Sequence, residues 1–364
     1  MSVAQTQTEL RIAEQGQITN RFNDAVSHLG SESPDVQFGG IYALERIMQD
    51  SPRDQPRIIS VLSAFVRTHA PFLKEQRQDE RPTLSAQVTA AAAVLAARPN
   101  GQDGHAKINW AHTDLQGFTL RRDQLAGDPS APRRLPFAFA DLTQTDLRKV
   151  VFTGVDLHRS SCEAANLTDA HLLDVDMSGA YLSRAQLAGA RLEQGTSLRF
   201  ATLSAANLSR SVLAEDTDLS RADLRDANLA DANLTGVNFR HANLASSTLS
   251  RVNLKDADLT KANLAGANLT EADLWGADLT GATLLDANLD LLKGWDINLT
   301  RANLSEANLT GANLFDADLT GANLSGADLS KATLLNADLT GANLTGAKLD
   351  GAIGLPDDLV DNSD

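Results

Sequence analysis

The sequence predicts a mainly β protein, a four-sided β-helix preceded by a small α-helical domain. Three observations predict this fold. The first hundred residues carry apolar side chains at helical spacing. From about residue 115 to 350, a unit of the type Ala-Asn-Leu-Thr-Gly recurs every five residues. Distinctive side chains within that array also recur every twenty residues, which is four units. We therefore expect a helical domain at 1–104, a β-helix at 105–355 and an acidic C-terminal tail at 356–364.

The N-terminal part is expected to form paired helices. An amphipathic segment spans 5–29, and Gly30 ends it. Pro34 is suited to the first position of a second helix. Ser51-Pro52 resembles the capped start of a third helix, and Pro82 begins a fourth. The residues predicted to face the helical core are Phe38, Ile41, Leu44, Ile47, Met48, Ile58, Leu62, Phe65, Val66, Leu84, Val88, Ala92 and Leu95.

The five-residue period itself predicts short extended segments joined by corners. The apolar positions are a central residue, usually Leu, and the residue two before it, while the residue between them is usually Asn or Asp. This alternation places two side chains inward on a strand. A helix is excluded because five residues make about 1.4 helical turns, so the apolar face would rotate away within a few units.

The twenty-residue period predicts that four units close one coil. Forty-two central positions lie between Leu142 and Leu349, with one-residue insertions near Gly195 and Asp216. Weaker units precede them, and a proline-rich excursion at 126–136 interrupts the array. Coils stacked ~4.8 Å apart would form a rod roughly 50 Å long.

These repeats are similar to those of the pentapeptide-repeat family, and the segment 39–46 resembles the helical leader of some bacterial members. The resemblance covers about two-thirds of the chain and implies a right-handed, quadrilateral β-helix. Some members of this family resemble double-stranded DNA in width and charge. They bind type II topoisomerases and protect them from quinolone-like poisons.

One predicted row of outward side chains is apolar, and we interpret it as a contact surface. It comprises Trp275, Trp295, Phe315 and Leu335, which follow central positions at intervals of twenty residues. Exposed apolar patches usually mark an interface with a partner or a second copy. Leu285 and Leu291 are expected on the next faces, where they would widen the patch. The alternatives are that the rings only stiffen the face, or that the C-terminal tail covers them.

A second predicted row is acidic. It comprises Asp258, Asp278, Asp318 and Asp338, again at coil spacing. The favoured interpretation is a hydrated face that keeps the rod soluble, with Lys261 and Arg301 as available cations. The alternative is a negative strip that imitates DNA phosphates.

Composition excludes several function classes. The net charge is −15, and residues 216–350 hold 10 basic and 19 acidic groups, which argues against direct binding of nucleic acid. The seven histidines lack metal-ligand spacing, and no phosphate loop or dinucleotide fingerprint is present, so we expect no enzyme activity and no cofactor. One cysteine, Cys162 at a central position, together with the absence of a signal peptide or membrane span, predicts a cytoplasmic protein.

The sequence therefore predicts a non-catalytic scaffold, an acidic rod that binds a protein partner through its surface. The alternative, implied by the resemblance, is a DNA-mimicking modulator or protector of DNA gyrase or another type II topoisomerase. Functional loops of such members have a counterpart only in the excursion at 126–136. That excursion carries Arg133 and Arg134, whose charge is opposite to that of DNA.

Overall fold

A computed structural model describes residues 3–72, 84–99, 101–122 and 134–355. In these ranges the N-terminal region holds four α-helices, as predicted, and one turn of 3₁₀ helix. That turn occupies the place where the third helix was expected to begin, and Ser51 before it makes no side-chain cap. They are α1 (Val3–Leu29), α2 (Pro34–Asp50), the 3₁₀ turn (Pro52–Asp54), α3 (Gln55–His69) and α4 (Ala86–Ala97).

The start of α4 differs from the sequence-based prediction. Pro82, the expected first residue, lies outside the described residues, and the helix begins at Ala86. Ser85 caps it, because its hydroxyl oxygen accepts a hydrogen bond from the amide of Val88 at 3.2 Å. Such a cap satisfies an amide that has no partner within the helix.

The four helices form one small bundle around a shared apolar core. Helix α2 packs against α1, α3 and α4. The approach of α1 and α2 requires Gly40, since a Cβ there would lie 2.8 Å from the carbonyl oxygen of Ala25. The predicted core is confirmed at Ile41, Leu44 and Ile58, which are fully buried. Phe38 and Leu84, predicted to face the same core, are only half-buried.

The rest of the chain is a right-handed, four-sided β-helix. Its strands are β1 (Thr119–Arg121), β2 (Leu135–Pro136), β3 (Val151–Thr153), β4 (Val155–Asp156), β5 (His171–Leu173), β6 (Arg191–Glu193) and β7 (Val212–Leu213). They pair in parallel in two sheets, one ordered β1-β3-β5-β6-β7 and the other β2-β4. In later coils the extended segments shorten to single bridges.

Successive coils stack in register along the whole rod. One side alone is linked by bridges through twelve rungs, at Asn109, Asp141, Ser161, Tyr181, Thr202, Asp223, Asn243, Asn263, Thr283, Asn303, Asn323 and Asn343. The step between rungs is mostly twenty residues, as the sequence predicted. We name the four sides A to D after the central residues of one coil, Leu259, Leu264, Leu269 and Leu274.

Each position of the five-residue unit has a physical role. The central Leu and the residue two before it fill the interior, as Leu264 and Ala262 do with 0% and 1% exposure. The intervening Asn or Asp accepts a hydrogen bond from the amide two residues later, as Asn263 does from Ala265 at 3.1 Å. The fifth residue turns the corner with a positive φ, which favours Gly, as at Gly266 (φ 64°).

Departures from the five-residue rule all lie on the edge between sides D and A. The bridges from Tyr181 to Thr202 and from Thr202 to Asp223 step by twenty-one residues, which confirms the two predicted insertions. The amide of Gly195 donates to Asp216 Oδ2 at 3.0 Å, so the two inserted segments contact each other. In the first coil the chain leaves side D after β1 and re-enters side A at β2.

The helical bundle covers the first coil. The amide of Asp114 donates to the carbonyl of Ala70 at 2.8 Å, and the amide of Phe72 donates to His112 at 2.9 Å. Arg67 also donates to the carbonyl of Asn109. One continuous apolar core extends from Ala25 in α1 into the last coils. The open end of a solenoid is thereby protected on this side.

At the other end the final coil is only half-buried, as at the inward residues Leu339, Leu344 and Leu349. The acidic tail at 356–364 lies outside the described residues. The alternative that this tail covers the apolar row is therefore not tested. Within the described ranges, no helix combines the length and apolar character needed to cross a bilayer.

Candidate protein-interaction surface

The apolar row forms a stacked ladder on the D–A edge. The rings of Trp275 and Trp295 stack with centroids 5.6 Å apart and planes inclined by 16°. Phe315 meets Trp295 edge to face, with centroids also 5.6 Å apart. Trp275, Trp295 and Leu335 are 47%, 48% and 44% exposed, whereas Phe315 is half-buried. These four residues are called the aromatic ladder below.

Backbone register places these side chains above one another. The amide of Gly276 donates to Trp295 O, that of Asp296 to Phe315 O, and that of Asp316 to Leu335 O, at 2.9–3.1 Å. Each ladder residue directly follows a central position and therefore points away from the core. The ring contacts are consistent with the stiffening alternative, but nearly half of the surface of each Trp residue is left exposed to solvent.

Trp295 is supported by an exchange of side chains inside the rod. Its coil has Gly294 at the central position and Leu292 at the position normally held by Ala. The Leu292 side chain fills the vacated space, since a Cβ on Gly294 would lie 3.2 Å from both Leu292 Cδ2 and Leu314 Cδ2. The interior thus remains filled beneath the ladder.

Leu285 and Leu291 do not lie together on one widened patch. Leu285 is ten residues, or half a coil, from both Trp275 and Trp295, so it occupies the opposite B–C edge. The expectation that it widens the ladder is therefore wrong, because side chains two units apart in a coil of four units point in opposite directions. Leu291 lies on the C–D edge next to the ladder, is 51% exposed, and approaches Gly311 of the following coil.

The acidic row on side A is longer than the sequence indicated. Bridges connect its members in one column that also includes Ser197, Asn238 and Asn298. The aspartates of this column are Asp156, Asp176, Asp218, Asp258, Asp278, Asp318 and Asp338. The first three were missed because the two insertions shift the twenty-residue register. The position directly before each central residue of side A would have revealed them.

Hydrogen bonds keep several of these carboxylates ionised. Burial opposes ionisation of Asp258, but the hydroxyl and amide of Thr260 and the guanidinium of Arg240 outweigh it and lower the pKa of Asp258. The hydroxyl and amide of Thr320 lower the pKa of Asp318. The corresponding groups of Thr340 lower the pKa of Asp338, even though Asp318 nearby acts in the opposite direction.

Cations accompany only the first part of the column. Arg240 pairs with Asp258 at 3.0 Å, and Arg199 pairs with Asp218 at 3.3 Å. In the described part of the chain, no ion pair forms on Asp278, Asp318 or Asp338. The expected cations Lys261 and Arg301 do not pair with them, because they occupy the corner position of the A–B edge.

The loop arginine Arg134 binds the acidic column instead of facing solvent. It contacts Asp174 at 2.6 Å and Asp176 at 3.2 Å, and it donates to the carbonyl of Gly195. It therefore neutralises the column where the chain re-enters side A. Arg133, predicted beside it, lies outside the described residues.

A cleft where the helical bundle meets the first coils offers no binding surface comparable with the aromatic ladder. Its lining includes Arg98, Lys107, Arg134 and Phe139. Arg98 is engaged by Asp103 at 2.8 Å, and Lys107 lies over the Phe139 ring at 5.5 Å. Over the described residues, no group of three His, Cys, Asp or Glu side chains has metal-binding geometry.

Comparisons with known proteins match the repeat pattern to a known family. The family described as Pentapeptide repeats matches in eight copies, over residues 137–161, 160–195, 217–256, 257–291, 295–321 and 317–353. The chain is similar to the crystal structure of HetL, a pentapeptide repeat protein involved in heterocyst differentiation regulation from the cyanobacterium Nostoc sp. strain PCC 7120. That match has 34% identity, covers 70% of this chain and 94% of HetL, and has a TM-score of 0.23.

Two further structures are similar over shorter spans. Rfr23 from the cyanobacterium Cyanothece 51142 is 34% identical, with 30% of this chain and 86% of that chain covered and a TM-score of 0.19. QnrB1, a plasmid-mediated fluoroquinolone resistance protein, is 21% identical, with 48% and 91% covered and a TM-score of 0.24. A search of curated proteins gives no match.

Proposed function

Because the chain belongs to the pentapeptide-repeat family, we propose that it is a non-catalytic scaffold that binds a protein partner through the D–A edge of its rod. The aromatic ladder carries this proposal. Two of the three tryptophans in the protein are placed outward on one edge, where burial against a partner would remove large apolar surfaces from water. Trp and Tyr residues in such positions commonly dominate binding energy.

The insertions give independent support. In repeat proteins, irregular insertions concentrate on one face, which is often the binding face. Here the inserted residues near Gly195 and Asp216 share the D–A edge with the ladder. The buried, unpaired Cys162 is in keeping with a reducing compartment such as the cytoplasm.

The test is comparative affinity capture from the source organism. The wild type, a W275S/W295S variant and a Y181S/F200S variant would serve as baits. Tyr181 and Phe200 are also exposed aromatic residues, but they lie on other parts of the rod, so the second variant controls for general loss of aromatic surface. We expect partners common to the wild type and Y181S/F200S to be lost from W275S/W295S.

Circular dichroism should give the same thermal transition for both variants, and sedimentation would report self-association. Equal capture by all three baits would contradict the proposal. Loss of a wild-type oligomer on W275S/W295S substitution would assign the ladder to self-association instead.

A second candidate is DNA mimicry directed at DNA gyrase or another type II topoisomerase. Its support is the column of seven aspartates on side A, stacked at regular coil spacing. A supercoiling assay with gyrase, with and without a quinolone, tests it. Inhibition or drug protection that is lost in a D278N/D318N/D338N variant would favour this candidate, and no effect at micromolar protein would remove it.

A further inference from the structure

The ladder lies beside an excess of negative charge, most of it on side A and at the D–A corner. Asp278, Asp318 and Asp338 flank it on side A, and Asp273 flanks it on side D. Asp296 and Asp316 follow Trp295 and Phe315 at the corner, and Asp256 holds the same corner position one coil before Trp275. Against these seven carboxylates stand two cations, Lys255 and Lys293. Lys255 is already paired with Asp273 at 3.2 Å, so an excess of negative charge surrounds the apolar surface.

This charge distribution disfavours a second copy of the chain as the occupant. Two ladders brought face to face would place both sets of carboxylates together, and like charges brought together at an interface repel each other and disfavour association. A partner with cations flanking an apolar stripe would form ion pairs instead. One cation is already accommodated, because the Lys255 ammonium lies 5.5 Å from the centroid of the Trp275 ring.

Backbone hydrogen bonding indicates which secondary structure can dock. The amides along the ladder are already used between coils, as in Asp256 N to Trp275 O at 2.9 Å and Gly276 N to Trp295 O at 3.1 Å. An added strand would find no free edge there, so recognition must use side chains. A helix satisfies its own backbone and presents only side chains.

The dimensions also suit a helix lying along the rod axis. From Trp275 to Leu335 there are three coil steps, about 14 Å at the usual strand spacing. A helix of about ten residues has this length, and its pitch of about 5.4 Å brings one side-chain row near each rung.

We propose that the ladder binds a cationic amphipathic helix of a partner protein, with apolar residues at i, i+3, i+4 and i+7 on the rings and Lys or Arg beside them. This inference rests on the proposed function and specifies the chemical class of the partner.

The test uses three fluorescently labelled synthetic peptides of about 14 residues. One is an amphipathic helix with Leu on one face and Lys beside it, the second replaces each Lys with Glu, and the third scrambles the first to remove its apolar face. Binding to the full chain is followed by fluorescence anisotropy. We expect only the first peptide to bind, at least about tenfold more tightly than the other two, and to be released as salt rises from about 0.05 M to about 0.5 M.

Matched variants separate charge from apolar contact. D278N/D318N/D338N removes three charges but keeps the local turn, since Asn298 in the same column accepts the amide of Thr300 at 3.0 Å. D226N/D286N/E306Q removes the same charge from the opposite B–C edge, where all three side chains are exposed. We expect the first variant to weaken binding at least about tenfold and the second to change it less than about twofold.

Equal weakening by both charge variants, preference for the Glu peptide, or absence of binding by the Lys peptide would overturn the inference. If W275S/W295S loses its captured partners while that capture is insensitive to salt and to D278N/D318N/D338N, the inference fails and the proposed function stands. If W275S/W295S retains every partner, the proposed function itself fails.

Discussion

At the residue scale, each unit fills a similar interior volume with two side chains, and one coil does so with an unusual pair of residues. Most units bury a small Ala and a large Leu, whereas the unit beneath Trp295 buries Leu292 and leaves Gly294 at the centre. The two arrangements fill similar space, because interiors are close-packed and tolerate exchanges that conserve volume.

This exchange makes a double-mutant prediction. G294L alone should destabilise the rod by about 1–3 kcal/mol through overpacking, and L292A alone by about 2–5 kcal/mol through a cavity. The double variant L292A/G294L restores the common Ala and Leu pattern, so its loss should be smaller than either single loss. Urea unfolding measures all three, and additive losses would contradict the proposed exchange.

Cys162 illustrates how burial in the same interior lowers the reactivity of a thiol. Complete burial raises the pKa of its thiol to about 11, although a hydrogen bond with Ser160 acts in the opposite direction. We expect no reaction with a thiol-specific reagent at about pH 8 in the folded protein and one equivalent after denaturation. Rapid labelling of the native protein would show that the coil opens around Cys162.

At the element scale, the column of aspartates on side A depends on hydrogen bonds from neighbouring hydroxyls and amides. Thr260 donates through its hydroxyl to Asp258 at 2.5 Å and through its amide at 3.0 Å, and the pKa of Asp258 is lowered. Carboxylates with a lowered pKa stabilise the folded state above their unfolded pKa of about 3.9, and this stabilisation is lost as the pH falls through their folded values.

The free energy of unfolding should therefore decline as the pH is lowered below about 4. In a D258N/D318N/D338N variant the decline should be shallower, because three groups with a lowered pKa no longer titrate. Denaturant unfolding at a series of pH values measures this slope. Identical slopes for the variant and the wild type would show that the column does not contribute to acid stability.

Much of the repeat architecture could be predicted from the sequence, for a physical reason. The periods of five and twenty fix which residues face inward and which stack, so the ladder from Trp275 to Leu335 could be located in advance. Two features could not be predicted in this way. The first three aspartates of the column were missed because single insertions shift the register, and the pairing of Arg134 with Asp174 depends on how the chain returns after an irregular excursion.

At the scale of the whole molecule, the two ends of the rod differ. The helical bundle hydrogen-bonds to the first coil, whereas the described chain places no partner on the amides of Leu339, Leu344 and Leu349 in the last coil. Stability in such solenoids is built from contacts between neighbouring repeats, so a coil with one neighbour is less protected.

Hydrogen exchange should report this asymmetry. We expect peptides within 337–353 to exchange fastest among the coils, and peptides within 257–280 to exchange most slowly. Mass spectrometry after timed exposure to deuterated water would measure both. Equal protection in the two segments would mean that the last coil is covered.

The central claim is that a partner binds the ladder edge of the rod, and site-specific photocrosslinking tests it most directly. A photoreactive phenylalanine analogue would replace Phe315 on the D–A edge in one protein and Leu285 on the opposite edge in another. The account predicts that the captured partner crosslinks from position 315 and not from position 285. Crosslinking from position 285 alone, or equally from both positions, would contradict it.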